Sequence, residues 1–90
     1  MAAADRDVSK VDADVRLPGN LLDGGYCDGL PKAAADALGR LDIICNNAGV
    51  ITRGDVVNTS DADWDVSVGV NINAPFRICR AAIPIMAAQG

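Results

Sequence analysis

The sequence predicts an α/β architecture built on a parallel sheet, and three observations carry that expectation. Short apolar runs alternate with longer stretches of helical spacing, the pattern of βαβ units. Leu41 to Cys45 is near-continuously apolar, as a strand is when helices cover both faces of its sheet. Half of the 90 residues are hydrophobic and 22% are charged, the balance of a globular domain rather than a disordered one. That length is room for one small domain. No repeat, linker or low-complexity segment interrupts it.

Ala2 to Ala4 reads as the tail of a strand that stops at Asp5. Asp14 to Leu17 reads as a second short strand, ended by the turn signal Pro18-Gly19. Asp23 is a candidate N-cap, after which Tyr26, Leu30, Ala34, Ala37 and Leu38 recur at helical spacing. Pro31 interrupts that helix or marks its beginning, and Gly39 is a natural stop. Leu41 to Cys45 is the clearest strand. Asn46-Asn47-Ala48-Gly49 follows it, and a loop runs on to Thr59. Ser60 with Asp63 opens a capping box. From Ala62 to about Ala88 the spacing of Trp64, Val68, Ile72, Phe76, Cys79, Ile83 and Met86 predicts one long helix, kinked or ended by Pro84. Its second half is apolar nearly all round. It therefore needs burial against the sheet and a second surface such as a partner subunit.

Composition excludes several kinds of chemistry. Eight basic and twelve acidic residues give a net charge of −4. The basic residues are scattered, and one Trp, one Tyr and one Phe make no base-stacking platform, so nucleic acid is not an expected partner. The chain has no His, so it holds no Ser-His-Asp triad, Cys-His pair or His-ligated zinc. Cys27, Cys45 and Cys79 are widely spaced and embedded in apolar stretches, as reduced thiols of a cytoplasmic protein are. No metal site is expected. No apolar run approaches the ~20 residues of a membrane span, and the opening Met-Ala-Ala-Ala-Asp-Arg-Asp lacks the features of a secretory signal.

Ligands of open α/β sheets sit beyond the carboxyl ends of the strands. That rule selects Asp5, the Gly19-Asn20-Leu21 turn and Asn46 to Gly49. A carboxylate at Asp5 suits a ribose 2′- and 3′-hydroxyl pair and repels a 2′-phosphate; taken alone, it reads more readily as a solvated surface Asp. Asn46 and Asn47 place two amides at the end of a hydrophobic strand, where each needs a hydrogen bond if buried. Ala48 and Gly49 leave room for a flat ring or sugar against the backbone; a plain strand-to-loop turn also uses such residues. Asn71 and Asn73 lie in an apolar helix, although Asn competes for backbone groups there. They point about 200° apart, so they share no solvent face. A local break in the helix ladder that presents a backbone carbonyl to a water would account for them.

Together these pieces resemble the classical short-chain dehydrogenase/reductase family. The resemblance rests on Leu-Gly-Arg-Leu-Asp-Ile-Ile-Cys-Asn-Asn-Ala-Gly-Val at 38–50, Asp-Trp at 63–64 and Val-Asn-Ile-Asn-Ala-Pro-Phe at 70–76. The ordered set is far more specific than Asn-Asn-Ala-Gly alone. It implies a piece of a Rossmann-type, doubly wound parallel sheet, with residues 1–90 forming part of an NAD(P)-binding domain. It implies that Asp5 favours NAD over NADP, with Arg6 beside it moderating the preference. It implies that Asn20 and Leu21 flank the adenine, Asn20 standing where many relatives have Asp. Asn46, Ala48 and Gly49 match the segment lining the cofactor ribose and nicotinamide. Asn71 matches the Asn of the catalytic Asn-Ser-Tyr-Lys tetrad, its carbonyl holding a water in the proton relay.

Departures from the family pattern limit what these residues do alone. The Gly-x-x-x-Gly-x-Gly phosphate loop is absent, Tyr-x-x-x-Lys is absent, and the family's Ser falls beyond the last residue. In register, the 90 residues run from inside the family's second strand to the helix after its fourth. The strand that separates the second from the fourth is missing. The sheet is therefore expected to be gapped, with unpaired edges, and the isolated chain to be molten or aggregation-prone. The leading expectation is a piece of an NAD-dependent oxidoreductase acting on a ketone or secondary alcohol, inactive by itself and oligomeric through the 61–88 helix. A non-catalytic remnant or helix-mediated interaction module is the second reading. Another Rossmann-type enzyme, such as a methyltransferase, is the third.

Overall fold

The computed structural model describes residues 1–4, 14–46 and 57–90. Strands β1 (Ala2–Ala3) and β2 (Val15–Arg16) pair in parallel, with Ala2 opposite Val15 and Ala3 opposite Arg16. Leu17 extends the pairing by donating its N–H to the Ala3 carbonyl at 2.8 Å. Both strands lie where the apolar runs place them, and Pro18 follows β2 closely because it has no N–H for a ladder.

Helix α1 spans Gly24–Leu38. Asp23 caps it, its carboxylate accepting from the N–H groups of Gly25 at 3.0 Å and Tyr26 at 3.3 Å. Gly39 ends it in the left-handed region at φ 89°, where a side chain would be strained. Pro31 corrects the sequence expectation. It neither starts nor interrupts the helix but lies inside it, buried. It costs one ladder bond, to the Cys27 carbonyl, and in exchange its ring joins the apolar face.

Leu41–Asn46 is the second correction. The sequence makes Leu41 to Cys45 the clearest strand, yet no ladder forms along 41–46, and the sheet order is β1-β2 alone. A strand needs a neighbour for its N–H and C=O groups, and no strand lies beside this one among the described residues. Leu41 is buried, whereas Ile43 is 80% exposed.

The long helix runs over 61–89, close to where its spacing places it, with a change of register inside it. Helix α2 (Asp61–Val68) leads into a π-helical turn (Gly69–Asn73) and then α3 (Ala74–Gln89). Ser60 caps α2, its hydroxyl accepting from the Asp63 N–H at 3.1 Å. Pro84 does not end α3. The break falls at Asn71 and Asn73, which the sequence singles out.

The core is the seam between α1 and α3. Cys27 and Ala34 on α1 meet Ala74, Ile78 and Ala82 on α3, with Leu41 beneath. Positions 74, 78 and 82 recur every four residues and so share one helix face. Ala74 and Ala82 there allow close approach of the two helices on either side of Ile78. Asp28 bridges the same helices at the surface, accepting from Arg77 at 2.9 Å and Arg80 at 3.2 Å. Half-exposed pairs of this kind add about 1 kcal/mol at most; apolar burial holds the seam. No described helix is long and apolar enough to cross a membrane.

Candidate cofactor-binding site

The chain leaves β2 through a fixed turn. The Asn20 side-chain oxygen accepts from the Leu22 N–H at 2.9 Å, and its backbone carbonyl accepts from the Asp23 N–H at 2.9 Å. Asn at this position closes the turn with its own side chain. The approach is anchored by Tyr26, whose hydroxyl donates to the Leu17 carbonyl. The Tyr26 ring lies over Gly19: a Cβ there would meet ring carbons at 2.2–2.6 Å. Asn20 is exposed. Leu21 packs on the Cys27–Ala74–Ile78 cluster, and its carbonyl accepts from the Cys27 thiol at 3.3 Å. Burial pushes that thiol's pKa up, so it stays a neutral donor.

Asn46, exposed at the end of the 41–46 segment, donates from Nδ2 to Cys79 Sγ on α3 at 3.5 Å. Asn71 is exposed in the π turn. There the Ala74 N–H reaches back five residues to the Gly69 carbonyl, a register typical of short helix interruptions at functional sites. Leu22 touches this turn: a Cβ on Gly69 would lie 2.4 Å from Leu22 Cδ2.

The turn after β2 and the end of the 41–46 segment thus both meet one stretch of helix. The Asn20–Asp23 turn meets it at Gly69 through Leu22, and Asn46 meets it at Cys79. Asn71 lies between these two points in sequence. Asp5, Ala48 and Gly49 lie outside the described residues; Asp5 follows two positions after β1. An open cavity of about 360 Å³ between β2 and α1 includes Arg16, Gly29 and Ala33 in its lining. None of the sequence-selected residues lines it. No cluster of possible metal ligands occurs among the described residues.

Three contributors escape the sequence analysis. Gly69 and Leu22 are 47 positions apart, and only the fold reveals their contact. Gln89 bonds to both backbone groups of Leu41; a polar residue at the end of an apolar helix is its one sequence signal.

Exposed amides such as Asn20, after β2, and Asn46, at the end of the 41–46 segment, are chemically suited to the hydroxyls and amide of a dinucleotide. The packed apolar side chains of the seam offer no such donors.

Over residues 1–90 the chain matches the family described as enoyl-(acyl carrier protein) reductase. It is 39% identical over 90 aligned residues to the BbsD subunit of a hydroxy(phenyl)methylsuccinyl-CoA dehydrogenase from Thauera aromatica, covering 88% of this chain and 36% of that protein. It is 40% identical over 67 residues to a 2-dehydro-3-deoxy-D-gluconate 5-dehydrogenase from Escherichia coli, covering 70% of this chain and 26% of that one. The chain therefore spans well under half the length of these relatives. Among solved structures it resembles a metagenomic short-chain oxidoreductase in complex with NADP, with a TM-score of 0.85 and 27% identity, over 98% of this chain and 45% of the other.

Proposed function

Because the chain belongs to the short-chain dehydrogenase/reductase family, we propose that its 90 residues furnish the middle of a nicotinamide dinucleotide site in an oxidoreductase acting on a ketone or secondary alcohol. The observation that carries this reading is the π turn at Asn71. The helix passes from α into π register here, the Ala74 N–H reaching the Gly69 carbonyl, at the position where the family resemblance places a water-holding carbonyl.

The residues divide the work as follows. The Asn20–Asp23 turn and Leu21 bound the adenine side, with Leu21 supplying apolar surface. Asn46 faces the ribose and nicotinamide side, its amide held by Cys79. The Asn71 carbonyl holds a water in a proton relay. When bound, the dinucleotide supplies the hydride-carrying carbon. Asp5 favours NAD, since a carboxylate there accepts from ribose hydroxyls and repels a 2′-phosphate; the NADP in the metagenomic neighbour belongs to that protein. The groups for proton transfer to the substrate are not among these residues, so the chain by itself is inactive. The names of the two relatives differ in substrate, an acyl-CoA in one and a sugar acid in the other; this reading assigns none.

The purified chain should turn over no NADH or NADPH with carbonyl substrates. Measurable turnover overturns this division of labour, and methyl transfer from S-adenosylmethionine moves the chain to a different Rossmann-type class.

A second observation favours self-association. Trp64, Ile72, Phe76 and Ile83 are 60–63% exposed along the 61–88 region, an apolar surface that a second copy would cover. Sedimentation should show a mass that rises with concentration, and a constant monomer mass excludes it. The thiols of Cys27, Cys45 and Cys79 are free, in keeping with a cytoplasmic location.

A further inference from the structure

The turn from Asn20 to Asp23 uses its acceptors on the protein itself. The Asn20 side-chain oxygen takes the Leu22 N–H at 2.9 Å. The Asn20 backbone carbonyl takes the Asp23 N–H at 2.9 Å. The Leu21 carbonyl takes the Cys27 thiol at 3.3 Å. The Asp23 carboxylate takes the N–H groups of Gly25 and Tyr26. A ligand that donates to any of these competes with a bond that shapes the turn or caps α1.

The first of these bonds also decides which way the amide faces. A backbone N–H aimed at a side-chain amide meets its oxygen, because the NH2 group cannot accept. With Oδ1 committed to Leu22, the end that exposed Asn20 presents outward is Nδ2, which carries two N–H donors. A carboxylate at the same position would behave differently. One oxygen would hold the Leu22 N–H, and the other would remain to accept.

That polarity bears on the base of a dinucleotide. Adenine carries an amino donor at position six, whereas a 6-oxopurine carries an acceptor there, beside the acceptor N7. We infer that Asn20 sets base selectivity by presenting a donor, so that the turn favours a purine with an acceptor at position six over one with an amino group. The adenine of a dinucleotide is then held through its ring nitrogens and by the apolar surface of Leu21, and not through its amino group. The role given to Asn20 rests on the reading of this turn as the adenine side of the site.

Adenosine and inosine 5′-monophosphates share sugar and phosphate, so the ratio of their dissociation constants isolates the base edge. Each is titrated into the full chain and followed by the nitrogen-15 signals of the Asn20 side-chain NH2 and the Leu21 amide. The inosine nucleotide should bind about threefold more tightly, the worth of one neutral hydrogen bond. Asn20→Asp should reverse the order while the Leu22 amide stays protected from exchange. Its added charge weakens both nucleotides through their common phosphate and cancels in the ratio. Asn20→Ala, which removes the donor, should bring the two nucleotides level. Tighter or equal binding of the adenosine nucleotide to the unaltered chain overturns the role of Asn20, as does a ratio that neither variant moves. Failure of the underlying reading looks different: the turn's signals stay still with both nucleotides at millimolar concentration, and the role of Asn20 falls with it.

Discussion

Gln89 pairs with Leu41 as a neighbouring strand would: its side-chain oxygen accepts from the Leu41 N–H at 2.8 Å, and its side-chain nitrogen donates to the Leu41 carbonyl at 2.7 Å. One primary amide thereby satisfies both backbone groups of a buried residue that has no strand beside it among the described residues. It also ties the start of the 41–46 segment to the end of α3. The far end of the segment is held by Asn46 on Cys79, so two side-chain contacts fix a stretch that lacks a ladder.

Gln89→Ala should remove both bonds and leave two partly buried backbone groups unmet. The expected cost is about 1–3 kcal/mol, read as a lower urea midpoint and faster exchange of the Leu41 amide. Gln89→Glu keeps an acceptor for the N–H but loses the donor, so it should protect the Leu41 amide better than Ala does. Equal exchange in all three proteins would mean that the clamp does not form in solution.

Gly19→Ala should destabilise the chain through the Tyr26 ring, which lies where the new methyl would go. Displacing a ring that is also bonded to Leu17 costs about 1–3 kcal/mol. Tyr26→Phe, losing only the hydroxyl, should cost about 1 kcal/mol. A Gly19→Ala chain with an unchanged urea midpoint would count against this packing.

The thiols should react in the order of their exposure. Cys45 is exposed, Cys79 is partly covered, and Cys27 is fully buried. Burial raises the Cys27 pKa, so the folded state holds that proton more tightly than the unfolded chain. The associated stability is present below the ordinary thiol value of about 8.5 and is lost as pH rises through the higher folded value. Thiol-reagent kinetics between pH 7 and 10 should show Cys27 reacting last and only as the chain opens. Rapid Cys27 modification at neutral pH would contradict its burial.

The isolated chain should unfold over a broad range. Its sheet is two residues wide in each strand, and its core is essentially one helix seam. A sharp cooperative thermal transition, coincident by near- and far-UV circular dichroism, would overturn that expectation.

Local chemistry was legible where neighbours in sequence decide the outcome. Asp23 and Ser60 cap helix ends with their side chains and Gly39 with its left-handed backbone, and the two short strands fall on their apolar runs. Asn71 and Asn73 marked the helix break because Asn is a poor interior residue. What was illegible depends on distant partners. Leu41 to Cys45 has the composition of a strand, but pairing is a property of two segments, and no second one lies beside it among the described residues. Pro31 reads as a breaker until the helix seam that buries it is known. At the candidate site, Asn20, Leu21, Asn46 and Asn71 were found from strand ends and helix chemistry. Their supports, Leu22 on Gly69 and Cys79 under Asn46, come from contacts spanning more than thirty positions.

The most direct test of the central claim is to read the coding sequence on both sides of these 90 residues. The account predicts, in frame, a glycine-rich phosphate loop upstream and a Ser followed by Tyr-x-x-x-Lys downstream, which would complete the dinucleotide site and the proton relay around Asn71. Stop codons or unrelated sequence on either side would contradict it and leave the chain as a non-catalytic remnant.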